Sequence, residues 1–256
     1  MIETVYHLPV PKSVAVVGDF HNGDPDPVVR SLRKRRPSMI VIPGDLFYNK
    51  VPAEGAFVTQ EQEAAVRLLE ECTAVAPTFF SMGNHESLLC YEDWERIVRT
   101  GVRVLDNEWT QFENVWVGGV TSHMVMNRRA YVISHQINER YPGDLTMHAG
   151  KEEGVEITEP DLSWVSPVPK GYTILLDHHP EHFPMIPKEV DLIISGHAHG
   201  GQWRLFGRGV YAFGQGILPK WTSGVYEGRM VVTRGLTNTA RIPRINNPTE
   251  IVYIVP

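Results

Sequence analysis

Five short apolar runs recur along the chain, and each stops at a polar cluster. Ser13–Gly18 (SVAVVG) runs into Asp19-Phe20-His21, and Met39–Pro43 (MIVIP) into Gly44-Asp45. Pro77–Met82 (PTFFSM) runs into Gly83-Asn84-His85-Glu86. Tyr172–Leu176 (YTILL) runs into Asp177-His178-His179-Pro180, and Asp191–Ser195 (DLIIS) into Gly196-His197-Ala198-His199. Short β-branched runs bounded by turn residues predict buried strands. In α/β sheets, ligands bind at the carboxyl ends of strands. The pattern therefore places all five clusters on one edge of one sheet.

Helical periodicity fills the gaps. Over Glu61–Val75 the apolar positions Ala65, Leu68, Leu69, Cys72 and Val75 mark one face of a helix. Glu92–Thr100 predicts a shorter helix, stopped by Gly101. From about Asn114 the pattern changes. Val115–Val120, Val210–Phe213, Arg229–Thr233 and Ile251–Val255 read as strands of a second, more antiparallel sheet. Ser122–Lys170 has little periodicity and is rich in Pro, Gly and charge. It predicts an insertion over the active-site edge at about 122–170. The class is α/β.

The chain has 256 residues, of which 42% are hydrophobic and 21% charged. Those values suit a single soluble domain over 1–256. The net charge of −6 argues against nucleic acid as a partner. The basic run Arg30–Arg36, with five Lys/Arg in seven positions, reads as the solvated face of a helix. Cys72 and Cys90 are too few for a disulfide framework, and Cys72 sits on an apolar stripe as a buried thiol. The N-terminal stretch shows no charged region followed by an apolar one. No apolar run reaches the roughly 18 residues of a transmembrane segment. The expected location is the cytoplasm.

The polar clusters carry metal-ligand chemistry. Asp19 and His21 stand two apart at a strand end, and alternate positions of an extended chain point the same way. Asp45 follows a glycine that permits a tight turn. Its two carboxylate oxygens make it the natural bridge between two ions. Asn84 offers a neutral oxygen to the second ion. His85 is left for general-acid work on the leaving oxygen. His197 and His199 can each serve a different ion. In His178-His179 adjacent side chains point opposite ways, so one of them ligates. Two divalent ions about 3.5–4 Å apart are a standard device for in-line attack on phosphorus. Each cluster alone would be a turn or cap; their co-occurrence after apolar strands carries the reading. His7, His123, His135, His148 and His182 lack such context and receive no function.

These five blocks resemble those of the calcineurin-like metallophosphoesterase superfamily, over nearly the whole chain from Asp19 onward. Gly196–Gln202, with Thr222-Ser223-Gly224 and Arg234-Gly235-Leu236, resembles a bacterial branch. That branch includes phosphodiesterases and relatives of UDP-2,3-diacylglucosamine pyrophosphohydrolase. The resemblance implies a four-layer α/β/β/α sandwich with a binuclear site at the strand C-terminal edge. It implies that Asp19, His21, Asp45 and His199 hold the first ion, and that Asp45, Asn84, His178 and His197 hold the second. It selects His178 over His179, and makes His85 the acid or transition-state donor. The two ions would be Mn, Fe, Zn, Co or Ni, among which a nitrogen and oxygen donor set does not choose. After Gly44-Asp45 comes Leu46-Phe47-Tyr48-Asn49-Lys50, without the Asp-Arg-Gly of the superfamily's protein phosphatases. The implied function is hydrolysis of a phosphodiester or pyrophosphate bond by a hydroxide bridging the ions. The substrate would be a small-molecule or lipid-linked phosphate ester. A nuclease and a metal-binding scaffold without turnover are the alternatives. Trp203, Leu205, Phe206, Phe213, Ile217 and Trp221 read as core and loop anchors, with an apolar channel for a lipid-linked substrate as the second reading.

Overall fold

Two six-stranded sheets stack face to face in this computed structural model. It describes residues 1–48, 63–89, 91–126, 131–132, 147–148, 155–157, 159–239 and 243–256. The sheet strands in chain order are β1 (Ile2–His7), β2 (Val14–Val16), β3 (Met39–Ile42), β4 (Thr78–Ser81), β5 (Arg103–Leu105) and β6 (Glu108–Phe112). They continue as β7 (Val115–Val120), β8 (Tyr172–Asp177), β9 (Leu192–Ser195), β10 (Gly224–Tyr226), β11 (Met230–Val232) and β12 (Glu250–Val255). The first sheet runs β1-β12-β2-β3-β4-β5, and the second β10-β11-β9-β8-β7-β6.

This corrects the expectation of one sheet edge. The strands β2, β3 and β4, which precede Asp19, Asp45 and Asn84, lie in the first sheet; β8 and β9, which precede His178 and His197, lie in the second. An apolar run reports that a strand is covered on both faces. It does not report which of two stacked sheets the strand joins. Ile251–Val255 likewise falls in the first sheet, between β1 and β2. The second sheet is antiparallel at both edges, where β6 meets β7 and β10 meets β11, and parallel at its centre. Val210–Phe213 joins neither sheet. Tyr211–Ala212 pairs instead with Gly216–Ile217 in a short hairpin, whose turn uses Gly214 (φ 78°) and Gly216 (φ 73°).

Among the described residues, three helices cover the outer face of the first sheet: α1 (Pro25–Arg35), α2 (Glu63–Val75) and α3 (Tyr91–Arg99). In α2 the buried positions are Ala65, Val66, Leu68, Leu69 and Cys72, the face read from the sequence. The basic run is the solvated face and end of α1, where Arg33 pairs with Glu71 and Arg35 with Glu3. Between the sheets, Val14, Val16, Met39 and Val41 meet Val117, Ile174, Leu176 and Ile194, all buried. The outer face of the second sheet is covered, among the described residues, by the 3₁₀ turns Ser163–Val165 and Pro180–Met185. Stacking the sheets brings the carboxyl ends of β2, β3, β4, β8 and β9 together. Within 122–170, the pair Met124–Met126 and Val155–Ile157 is antiparallel; most of the expected insertion, and Cys90, lie outside the described residues. No helix among the described residues is long and apolar enough to cross a membrane.

Candidate metal centre

The loops leaving the strand ends turn sharply. Asp19 (φ 48°), His21 (φ 46°), Asp45 (φ 53°), His197 (φ 63°) and His199 (φ 46°) all have left-handed backbone. For non-glycine residues this costs about 1–3 kcal/mol each and persists where the surroundings over-determine it, as at binding sites. Asp19 and His21 therefore converge through a left-handed turn, not as alternate residues of an extended strand as the spacing predicts. Gly44 (φ 104°) lets the second and third loops touch: a Cβ there would lie 2.6 Å from the Gly83 nitrogen.

The turns bring all eight predicted side chains to one place. Asp45 Oδ2 lies 3.2 Å from His178 Nε2, 3.8 Å from His21 Nε2 and 4.0 Å from His85 Nε2. Asp19 Oδ1 is 3.7 Å from His199 Nε2, whose ring stacks on that of His21 with the two Nε2 atoms 3.4 Å apart. His197 Nδ1 faces His178 Nε2 at 3.2 Å. Two donor groups result, Asp19 with His21 and His199, and Asp45 with His178 and His197; within each, the ligand atoms lie within 4.8 Å of one another. Asp45 faces both groups. Asn84 is buried and lines the same cleft as Asp45 and His197. His85 also groups with His21 and Asp45, so geometry alone gives it the reach of a ligand.

Neighbouring groups fix the donors. His178 Nδ1–H donates to the Pro43 carbonyl (2.9 Å), which aims Nε2 at Asp45. Such outer partners orient metal-binding imidazoles and set their tautomer. His197 N–H donates to Asp19 Oδ1 (3.0 Å), and His85 N–H to Asp45 Oδ1 (3.0 Å). Arg244 Nη2 donates to His199 Nδ1 (3.0 Å). Holding an ion through His199 Nε2 requires that contact to give way, because a neutral ring has one lone pair.

The electrostatics favour a cation. Burial raises Asp19 to about 6 and Glu86 to about 7, with Asp45 adding to both. At Asp45 burial pushes upward, but His178, His85 and His21 outweigh it and hold its carboxyl well below the usual range. At His178 burial pushes downward, and Asp45, Asp19 and Glu86 reverse it, raising the ring to about 10. Burial lowers His21 to about 3, lowers His85, and pushes His197 and His199 well below the usual range. Neutral imidazoles and ionised carboxylates are the ligating forms. Three buried carboxylates thus surround one proton-holding imidazole, and divalent cations would supply the positive charge they call for. Asp19 Oδ2, buried without a hydrogen-bond partner, fits the same conclusion.

A cleft of about 340 Å³ opens over the site, with Asp45, His85, Tyr48, Tyr211, Phe213 and Thr239 among its walls. That volume suits a small ligand. Four of the apolar residues expected as anchors are exposed: Leu205 (56%), Phe206 (105%), Phe213 (50%), which lines the cleft, and Ile217 (79%). They sit on short glycine-punctuated hairpins, Arg204–Leu205 with Arg208–Gly209 and Tyr211–Ala212 with Gly216–Ile217, too small to fold back on a core. Trp221 alone of that set packs against the core, edge-on to Phe183. Sequence reasoning missed Glu86, which bonds four backbone amides of this site, and His123, His179, Glu181 and His182, which gather behind His197. The Gly-Asn-His-Glu block held the one signal for Glu86.

The calcineurin-like phosphoesterase family profile matches residues 12–201, which contain every one of these strand-end clusters. The chain belongs to the calcineurin-like phosphoesterase family. This phosphoesterase is therefore a phosphoric ester hydrolase of a metal-dependent class, and its His/Asp groups could hold the metal. No curated protein sequence matches it significantly. One solved crystal structure aligns over 73% of this chain and 84% of its own, at 14% identity and a TM-score of 0.43. A Thermus thermophilus sulfate thiohydrolase, SoxB, in complex with glycerol, aligns over 72% of the phosphoesterase at 14% identity and a TM-score of 0.42. The matched part is 35% of that chain.

Proposed function

We propose that the chain hydrolyses phosphodiester or pyrophosphate bonds with two divalent ions held side by side. Asp19, His21, Asp45 and His199 hold the first, and Asp45, Asn84, His178 and His197 the second. The observation that carries this is Asp45 Oδ2, which faces His178 of one donor group and His21 of the other. Bound there, the ions would polarise the phosphoryl group and bring the pKa of a water molecule toward neutrality. The protein's own part is positioning and proton transfer. His85 gives a proton to the leaving oxygen, its ring held between Tyr48 (centroids 5.4 Å) and His21 (4.8 Å). Among the described residues that line the cleft there is no Lys or Arg.

The test is stereochemical. Hydrolysis in labelled water should place one solvent oxygen on the product phosphorus, with inversion at a chiral phosphorus. Net retention would show a covalent intermediate and refute direct attack by water.

The exposed hairpins favour a second, narrower reading, a lipid-linked ester. Phe206 and Ile217 stand in solvent on these hairpins, and Ile217 pairs with Tyr211, a wall of the cleft; exposed apolar surface of this kind usually marks a binding face. Phe206→Asp with Ile217→Asp should slow hydrolysis of a micelle-borne ester and leave a soluble diester untouched. Equal rates on the micelle-borne ester would refute it.

A further inference from the structure

On the far side of His197 from Asp45 lies another set of donors. His197 turns Nδ1 toward His178, so its Nε2 points away from the proposed pair. That Nε2 is buried and makes no hydrogen bond. His179 Nδ1 and both carboxylate oxygens of Glu181 are likewise buried, with no hydrogen bond from another residue. One ligand atom from each of the three residues lies within 4.8 Å of the others, and His179 Nδ1 is 3.5 Å from Glu181 Oε1. Buried polar groups nearly always satisfy one another. These instead face one another across no more than 4.8 Å. Ligands at about 2.0–2.2 Å from a tetrahedral ion stand about 3.4 Å apart, close to the 3.5 Å between His179 Nδ1 and Glu181 Oε1.

We propose that His179, Glu181 and His197 hold a third divalent cation, separate from the pair. Two imidazole nitrogens and a carboxylate are a zinc-type donor set. The charges balance: His197 loses its Nε2 proton to solvent and bridges as imidazolate, which with Glu181 offsets the two positive charges. The surroundings hold the donors in place. Ser122 Oγ lies 2.7 Å from His179 Nε2, the other nitrogen of that ring. Behind, His182 Nδ1 is tied to both oxygens of Asp177 at 3.0 Å. Gly214 keeps the remaining side open: a Cβ there would lie 2.4 Å from Glu181 Oε1 and 3.5 Å from His197 Nε2. Adjacent His178 and His179 thus both ligate, on opposite sides of their strand end.

The experiment uses tag-free full-length protein reconstituted with zinc and crystallised, with anomalous diffraction at the zinc edge. The wild type should show a peak among His179 Nδ1, Glu181 and His197 Nε2, besides the pair. Glu181→Gln and His179→Asn should each lose that peak and about one equivalent of zinc by elemental analysis, while keeping the pair. No peak there in the wild type, or an undiminished peak in both variants, overturns the proposal. Absence of the pair beside a retained third peak would instead overturn the proposed function and leave this site standing.

Discussion

Glu86 accepts the backbone N–H of Asp45 at 2.9 Å through Oε2, an atom that also accepts Gly83 N–H at 2.7 Å. Its Oε1 accepts the N–H groups of Leu46 (2.9 Å) and Phe47 (3.1 Å). One buried carboxylate thus ties the loop of the third block to that of the second and sets where Asp45 points. Glu86→Gln replaces one acceptor oxygen by an amide that faces N–H groups. Metal-free protein should lose about 2–4 kcal/mol in urea denaturation. A variant as stable as wild type would show that other contacts set this loop.

Asp45 is the one residue assigned to both ions. Asp45→Asn keeps the shape, weakens the ligand and removes the charge. Elemental analysis should find metal reduced at both sites of the pair. A variant that keeps both ions would show that Asp45 does not bridge them.

His85 has the reach of a ligand but is assigned the acid role. His85→Ala should keep its metal and lose about 10²–10⁴-fold in turnover for a substrate with a poor leaving group. With nitrophenolate leaving, the loss should be smaller, since little protonation is needed. Loss of one ion in the variant would make His85 a ligand. A loss independent of the leaving group would make it an electrostatic stabiliser of the transition state.

Asp19 and Glu86 give the pH dependence. Burial, the leading cause at both, raises their folded values to about 6 and about 7, above those of the unfolded chain. Their contribution to metal-free stability is therefore fully present below about pH 4 and is lost as pH rises through about 6 to 7. Cations compete with those protons, so the rise in Tm from saturating manganese should grow between about pH 5 and about pH 8. A gain independent of pH would contradict the assignment of these groups to the site.

Much of the site was legible because strand-end chemistry is local. An apolar run followed by Gly-Asp or Gly-Asn-His shows both the strand and the donors that leave it. Val14–Val16, Met39–Ile42 and Leu192–Ser195 formed where the pattern placed them. Sheet membership was not legible, since β2 and β8 carry the same apolar signal in different sheets. The edge strands β1 and β6 are half-exposed, and their alternation was too weak to read. The donors behind His197 were illegible for another reason. His123 lies far in sequence from His179 and His182, and only the turn after β8 and the packing of Ser122 on His179 bring them together. The exposure of Phe206 and Ile217 is a property of tertiary placement, invisible in a run that looks like core.

The most direct test is turnover of bis(p-nitrophenyl) phosphate by chelated and by metal-loaded protein, with Asp45→Asn beside each. Chelation should abolish hydrolysis, and manganese should restore it in the wild type but not in Asp45→Asn. Undiminished hydrolysis by the chelated chain, or no turnover by the loaded wild type above that of free manganese, would contradict the proposed function.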